Sequence, residues 1–132
     1  MSALTEFLVA RITEREAVAH AAAAALTHRD QPDPDDLKVW RADDGTVRAG
    51  WTPVATGERD HGLDVRVAEH IASHDPARVL AECAAHRAIV ERCGPYDDIQ
   101  VRRQTRTLAG DVLRALAAVY SDHEDFDPAW KV

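Results

Sequence analysis

The sequence predicts a mainly α protein: three long helices and one short helix forming a small bundle, with a β-hairpin inserted after the first helix. Three observations predict it. Apolar residues recur mostly at three- and four-residue steps through 3–28, 76–93 and 98–120. An Asp-Asp-Gly turn at 43–45 joins two short runs of strand formers. The length of 132 residues favours one domain over two, and a chain of this size buries roughly two-thirds of its unfolded surface without staples.

The first helix places Leu4, Phe7, Leu8, Ile12, Val18, Ala22 and Leu26 on one stripe, with Ser2 or Thr5 as its cap. Asp30-Gln-Pro-Asp-Pro-Asp-Asp36 stops it, because both prolines disfavour helical neighbours. The hairpin spans about 37–52, and its Gly45 can take positive φ. A two-stranded hairpin is marginal in water, so one face is expected to pack on the helices. Thr52 to Gly62, with Pro, Gly and mixed charge, reads as a mobile loop. A short helix follows from Leu63 to about Ser73-His74. Asp75-Pro76 restarts the helical pattern, the Asp as cap and the Pro at the first helical position. Val79, Cys83, His86, Val90 and Cys93 form the next stripe, and Gly94-Pro95 is expected to end it. The last helix should begin near Asp97 or Asp98 and run to about Tyr120, burying Leu108, Val112, Leu116 and Val119. Gly110 interrupts it at a cost of about 1 kcal/mol. Asp127-Pro128-Ala129-Trp130 reads as one capped turn that folds Trp130 back onto the body.

Composition narrows the function classes. Arg and Lys number 16 against 23 Asp and Glu, a net charge of −7, and phosphate affinity needs excess cation. Nucleic acid and anionic membranes are therefore not the expected partners. The start has no basic leader region, and Ala21–Leu26 falls far short of the ~20 apolar residues of a membrane span. Two cysteines make neither a disulfide scaffold nor an all-cysteine zinc site. A cytoplasmic location with reduced thiols is expected.

Several constellations invite chemistry, each beside a structural reading. His70 and His74 share a helix face at i and i+4, with a third ligand to come from Asp75, His61 or His123; the structural reading makes His74 a helix terminator and Asp75 a cap. Cys83, His86 and Cys93 lie on one stripe, but Cys83 and Cys93 are ~15 Å apart along a helix, so they read as core. Ser121, Asp122 and His123 lack a nucleophile elbow or oxyanion turn, and no catalytic residue is assigned. Arg102, Arg103, Arg106 and Arg114 form a basic stripe on the last helix, which reads as a solvated face beside Asp97, Asp98 and Asp111. Trp40 and Trp51 in the charged hairpin mark either a contact surface or packing against the first helix.

His70-Ile-Ala-Ser-His-Asp-Pro-Ala-Arg-Val-Leu-Ala-Glu82 and the run from Val112 through Tyr120 to Trp130 resemble an uncharacterised family of small actinobacterial and actinophage proteins, a domain of unknown function. Phe7-Leu-Val-Ala-Arg-Ile-Thr-Glu-Arg15 fits its opening, while the hairpin and 95–107 are unmatched. The resemblance implies membership and carries no activity. It also implies a zinc site in other members: a histidine ending the middle helix, Cys-x-x-Cys, then Pro-Cys opening the last helix. Here Cys93 stands at the histidine, Ala109 and Gly110 at the Pro-Cys, and no Cys-x-x-Cys occurs. A continuous helix through 98–120 is then expected in place of a metal-clamped loop.

These readings predict a small intracellular protein-interaction or regulatory protein with no catalytic activity evident and no cofactor. Its partner is another protein, a second copy of the chain included, because a long alanine-rich helix can bury a face in a twin. The alternatives are zinc binding through His70 and His74, and nucleic-acid binding through the arginine stripe.

Overall fold

The computed structural model describes residues 1–26, 34–58, 61–103 and 106–132. Among them are four helices, α1 (Ala3–Ala25), α2 (Val65–Ser73), α3 (Pro76–Arg103) and α4 (Leu108–Ala117). Strands β1 (Trp40–Asp43), β2 (Thr46–Ala49) and β3 (Thr52–Thr56) lie between α1 and α2. The protein is mainly α with a small antiparallel sheet after the first helix, as the sequence predicts. The predicted helix end at 27–28 and the first part, 30–33, of the predicted stop at 30–36 lie outside the described residues; its last part, from Pro34, enters a short 3-10 turn, Pro34–Lys38. The chain divides into two compact units, Met1–Glu14 with Cys83–Val132, and Arg15–Glu82.

In the first unit, the Thr5 N–H donates to the Ser2 hydroxyl oxygen at 3.2 Å, capping α1. The same hydroxyl donates to the buried carboxylate of Asp97 on α3. Further along, Gly94 meets Thr5, where an added Cβ would stand 3.4 Å from Thr5 Cγ2, and Arg87 donates to Thr13 at 3.3 Å. These contacts correct one expectation: Gly94-Pro95 does not end the helix, and Pro95 lies inside α3. A mid-helix proline costs about 3 kcal/mol. The buried stripe Val90, Gly94 and Asp97 continues straight across it, and that packing outweighs the lost hydrogen bond.

The last helix is correspondingly shorter than expected. Thr107, in extended backbone, accepts from the Gly110 N–H at 3.1 Å and caps α4 there, ten residues past the predicted start at Asp97. The buried positions are Gly110, Leu113 and Ala117, whereas Leu108 is 81% exposed and Val119 is also exposed. Gly110 thus belongs to the packed face.

Phe7 ties the C-terminal segment to α1. Its ring centroid lies 5.1 Å from Trp130, 6.0 Å from Phe126 and 6.3 Å from Tyr120. Asp127 accepts from the Ala129 N–H at 2.9 Å, so the capped turn and the inward fold of Trp130 stand as predicted. Buried Arg11 sits 5.2 Å from the Phe7 ring centroid and donates to Glu14 at 2.6 Å and to the His123 ring at 2.7 Å.

In the second unit, α1 buries Ala19 and Ala23, while Val18 is 69% exposed. Six residues from Ile12 turn a helix by about 240°, whereas seven bring the chain back to within about 20°, so the predicted stripe slips by one position. The sheet order is β1-β2-β3, both pairings antiparallel. The third strand corrects the loop expected from Thr52. Gly50, with φ 55°, permits the tight turn that returns the chain along β2. At the β1–β2 turn Asp44 takes the left-handed conformation, φ 55°. Gly45 is required for a different reason: a Cβ there would meet Gly62 Cα at 2.7 Å, where Leu63 N–H donates to Gly45 O at 2.8 Å. Val47 and Ala49 are buried, α2 packs against β1 and β2, and Ala68 is its buried residue.

Asp75 joins the sheet to α3. Its Oδ1 accepts the Arg78 N–H at 2.7 Å, capping the helix, and its Oδ2 accepts the Trp40 N–H at 3.0 Å. One turn on, Glu82 accepts from Arg78 at 3.1 Å and from Arg15 at 3.4 Å. The Arg78 hydrogen bond, with the charge of Arg15 behind it, holds the Glu82 carboxyl below the usual glutamate range against a smaller opposing effect of burial.

Two outcomes follow from this packing. Phe7→Ala should destabilise the chain by about 3–5 kcal/mol, the range for emptying a buried aromatic site; an unchanged urea midpoint would refute the central role of that ring. For Glu82 the folded pKa is depressed, so its stabilisation is present above the ordinary glutamate range and fades as pH falls through the lowered value. A carboxyl NMR titration should find Glu82 inflecting below the exposed glutamates, and an inflection at or above theirs would show the pair is not formed.

Candidate functional site

Strand alternation decides which side chains the sheet presents. The register pairs Trp40 with Ala49, Arg41 with Arg48, Ala42 with Val47 and Asp43 with Thr46. Val47 and Ala49 point inward, so Arg41, Asp43 and Arg48 share the outer face. Two arginines directly opposite repel, at a cost of roughly 0.2–1 kcal/mol. Asp43 offsets part of this through Arg48, at 3.4 Å; among the described residues Arg41 has no ion pair.

The β2–β3 turn then sets Trp51 beside them, 89% exposed. Two open grooves of about 430 and 540 Å³ flank it, sharing Arg41, Gly50 and Trp51. Asp36 and Val39 complete the first, and Ala42, Asp43 and Arg48 the second. An indole with two guanidinium groups can cover an apolar side chain and hold a carboxylate by paired N–H donors.

The two tryptophans proposed from sequence therefore part company. Trp40 is half-buried, its Nε1 donates to Leu37 O at 3.1 Å and its backbone N–H is held by Asp75. Trp51 is the surface residue. Arg41 and Arg48 were missed, although the signal was present: closing the turn between Asp43 and Thr46 puts residue 41 opposite 48.

Other candidates are dispersed or occupied. His70 and His74 do come together, with ring centroids 4.5 Å apart, whereas both oxygens of Asp75 already accept backbone N–H groups. Cys83 is buried and Cys93 half-buried on α3. The arginine stripe is not on one helix: Arg102 and Arg103 end α3, Arg106 precedes α4 and Arg114 lies within it. Asp111 accepts from Arg106 at 2.8 Å and from Arg114 at 3.0 Å. Among the described residues no helix is long and apolar enough to cross a membrane, and no group of three or more His, Cys, Asp or Glu side chains is placed to hold a metal ion.

Comparison with known proteins adds one fact. The profile of a family of unknown function, DUF6221, matches residues 1–132. The chain belongs to that family. No curated protein matches it, and no solved structure does. Where the resemblance implies a zinc site in other members, this DUF6221 member carries Cys93, Ala109 and Gly110.

The geometry separates surface from structure at the two tryptophans. Trp51→Ala should change folding stability by less than about 0.5 kcal/mol, as for other exposed sites, while Trp40→Ala should cost several times more. Equal losses in urea titrations would contradict the assignment of Trp51 to a free surface.

Proposed function

We propose that this DUF6221 member is a non-catalytic protein-binding module that engages another protein through the outer sheet face around Trp51. The observation that carries the reading is the exposure of Trp51 between two grooves, with Arg41 and Arg48 alongside. Trp and Arg are the side chains that concentrate binding energy at interface centres. Asp36 and Asp43 beside them disfavour a polyphosphate strand, as does the net charge of −7, so a protein surface fits better than nucleic acid.

The same reading places the protein in the cytoplasm of an actinobacterium. Two cysteines ten positions apart on α3, ~15 Å, are too distant for a disulfide with each other, which suits a reducing compartment. It also takes residues 1–132 as one folding domain, because α1 and α3 each contribute residues to both compact units.

The test immobilises the full chain and its Trp51→Ala and Arg41→Ala variants in host extract, with quantitative mass spectrometry and binding of the purified partner. A partner whose affinity drops at least tenfold in both variants supports the reading. Retention of the same proteins in the same amounts by all three chains contradicts it. Sedimentation at two concentrations tells whether the partner is a second copy.

A further inference from the structure

We propose that His70 and His74 form a two-histidine seat for a late first-row divalent cation, Zn²⁺ or Cu²⁺, at the C-terminal end of α2. Both residues are exposed, one helical turn apart, with rings 4.5 Å apart and tilted by 48°. The His74 Nδ1 lies 2.8 Å from the His70 backbone oxygen. A carbonyl oxygen only accepts, so Nδ1 carries the proton and the lone pair of the neutral ring stands on Nε2. A backbone carbonyl on Nδ1 is also the outer bond that orients metal-ligating imidazoles and raises their basicity. The Ser73 hydroxyl donates to the same oxygen at 2.7 Å, which fixes that carbonyl in turn. Tetrahedral zinc with Zn–N bonds of ~2.0–2.1 Å sets two ligand nitrogens about 3.3 Å apart; the His74 ring stays held by its carbonyl and the exposed His70 side chain turns to meet it. Asp75 does not join them, since both its oxygens are engaged. Water fills the remaining positions, so the seat exchanges its ion. An ion bridging the two rings clamps the last turn of α2, the helix that packs on β1 and β2.

This inference is independent of the Trp51 surface and is tested with the metal alone. The full chain is titrated with Zn²⁺ near neutral pH while the histidine ring C–H resonances are followed. His70 and His74 should shift together and saturate at one ion per chain, ahead of the other histidines. His70→Ala should weaken zinc binding at least tenfold with an unchanged circular dichroism spectrum; His74→Ala should do the same while also losing the bond to the His70 carbonyl. Undiminished binding in His70→Ala, separate movement of the two rings, or no uptake at millimolar zinc would each overturn the proposal.

Discussion

A carboxylate that is 8% exposed must have its oxygens satisfied or shed its charge, and Asp75 meets that requirement with two backbone N–H groups from different elements. One belongs to Arg78 in the first turn of α3, the other to Trp40 at the start of β1. Helix α3 thereby gains a cap where Pro76 already lacks an N–H, and the edge strand gains a partner for a donor that faces away from β2. The sheet cannot slide along its neighbour without stranding the part-buried Trp40 donor, at a cost on the order of 1 kcal/mol.

Register then determines the surface. With Trp40 anchored, period-two alternation places Val47 and Ala49 inside and Arg41 and Arg48 outside. A slip of one residue would invert this, burying the arginines and exposing the core. The repulsion between the two arginines acts against the stability of the isolated chain, and Trp51, exposed in the folded chain as in the unfolded one, adds little to it; both fit the binding role proposed for that face. The histidine pair lies in the same unit, His70 in the last turn of α2 and His74 at its C-cap directly before Asp75, so a cation held there would stiffen the helix that supports the sheet.

Much of this was legible in the sequence because local chemistry dictated it. Asp75-Pro76 and Asp127-Pro128 are caps whose geometry needs no distant residue, and the Cys83–Val90 stripe keeps a strict helical step. The failures have physical causes. In α1 the apolar residues change phase after Ile12, and the exposed Val18 drew the reading from the smaller Ala19 and Ala23. At Gly94-Pro95 the local signal was a helix end, but Ser2 and Thr5, some ninety residues away, supply the packing that carries α3 through it. The third strand was hidden because Thr-Pro-Val-Ala-Thr is a weak strand until β2 offers it a ladder. At the candidate site the tryptophans were visible at once. Which of them is exposed depended on a bond between residues 35 positions apart, and no periodicity reports that.

The most direct test of the anchoring role is amide hydrogen exchange on Asp75→Ala against the native chain. If one side chain ties β1 to α3, the Trp40 and Arg78 amides should lose protection together, while amides in the β2–β3 ladder stay slow. Loss at Arg78 with Trp40 still protected would show that Asp75 is a helix cap and nothing more, and the register would need another source.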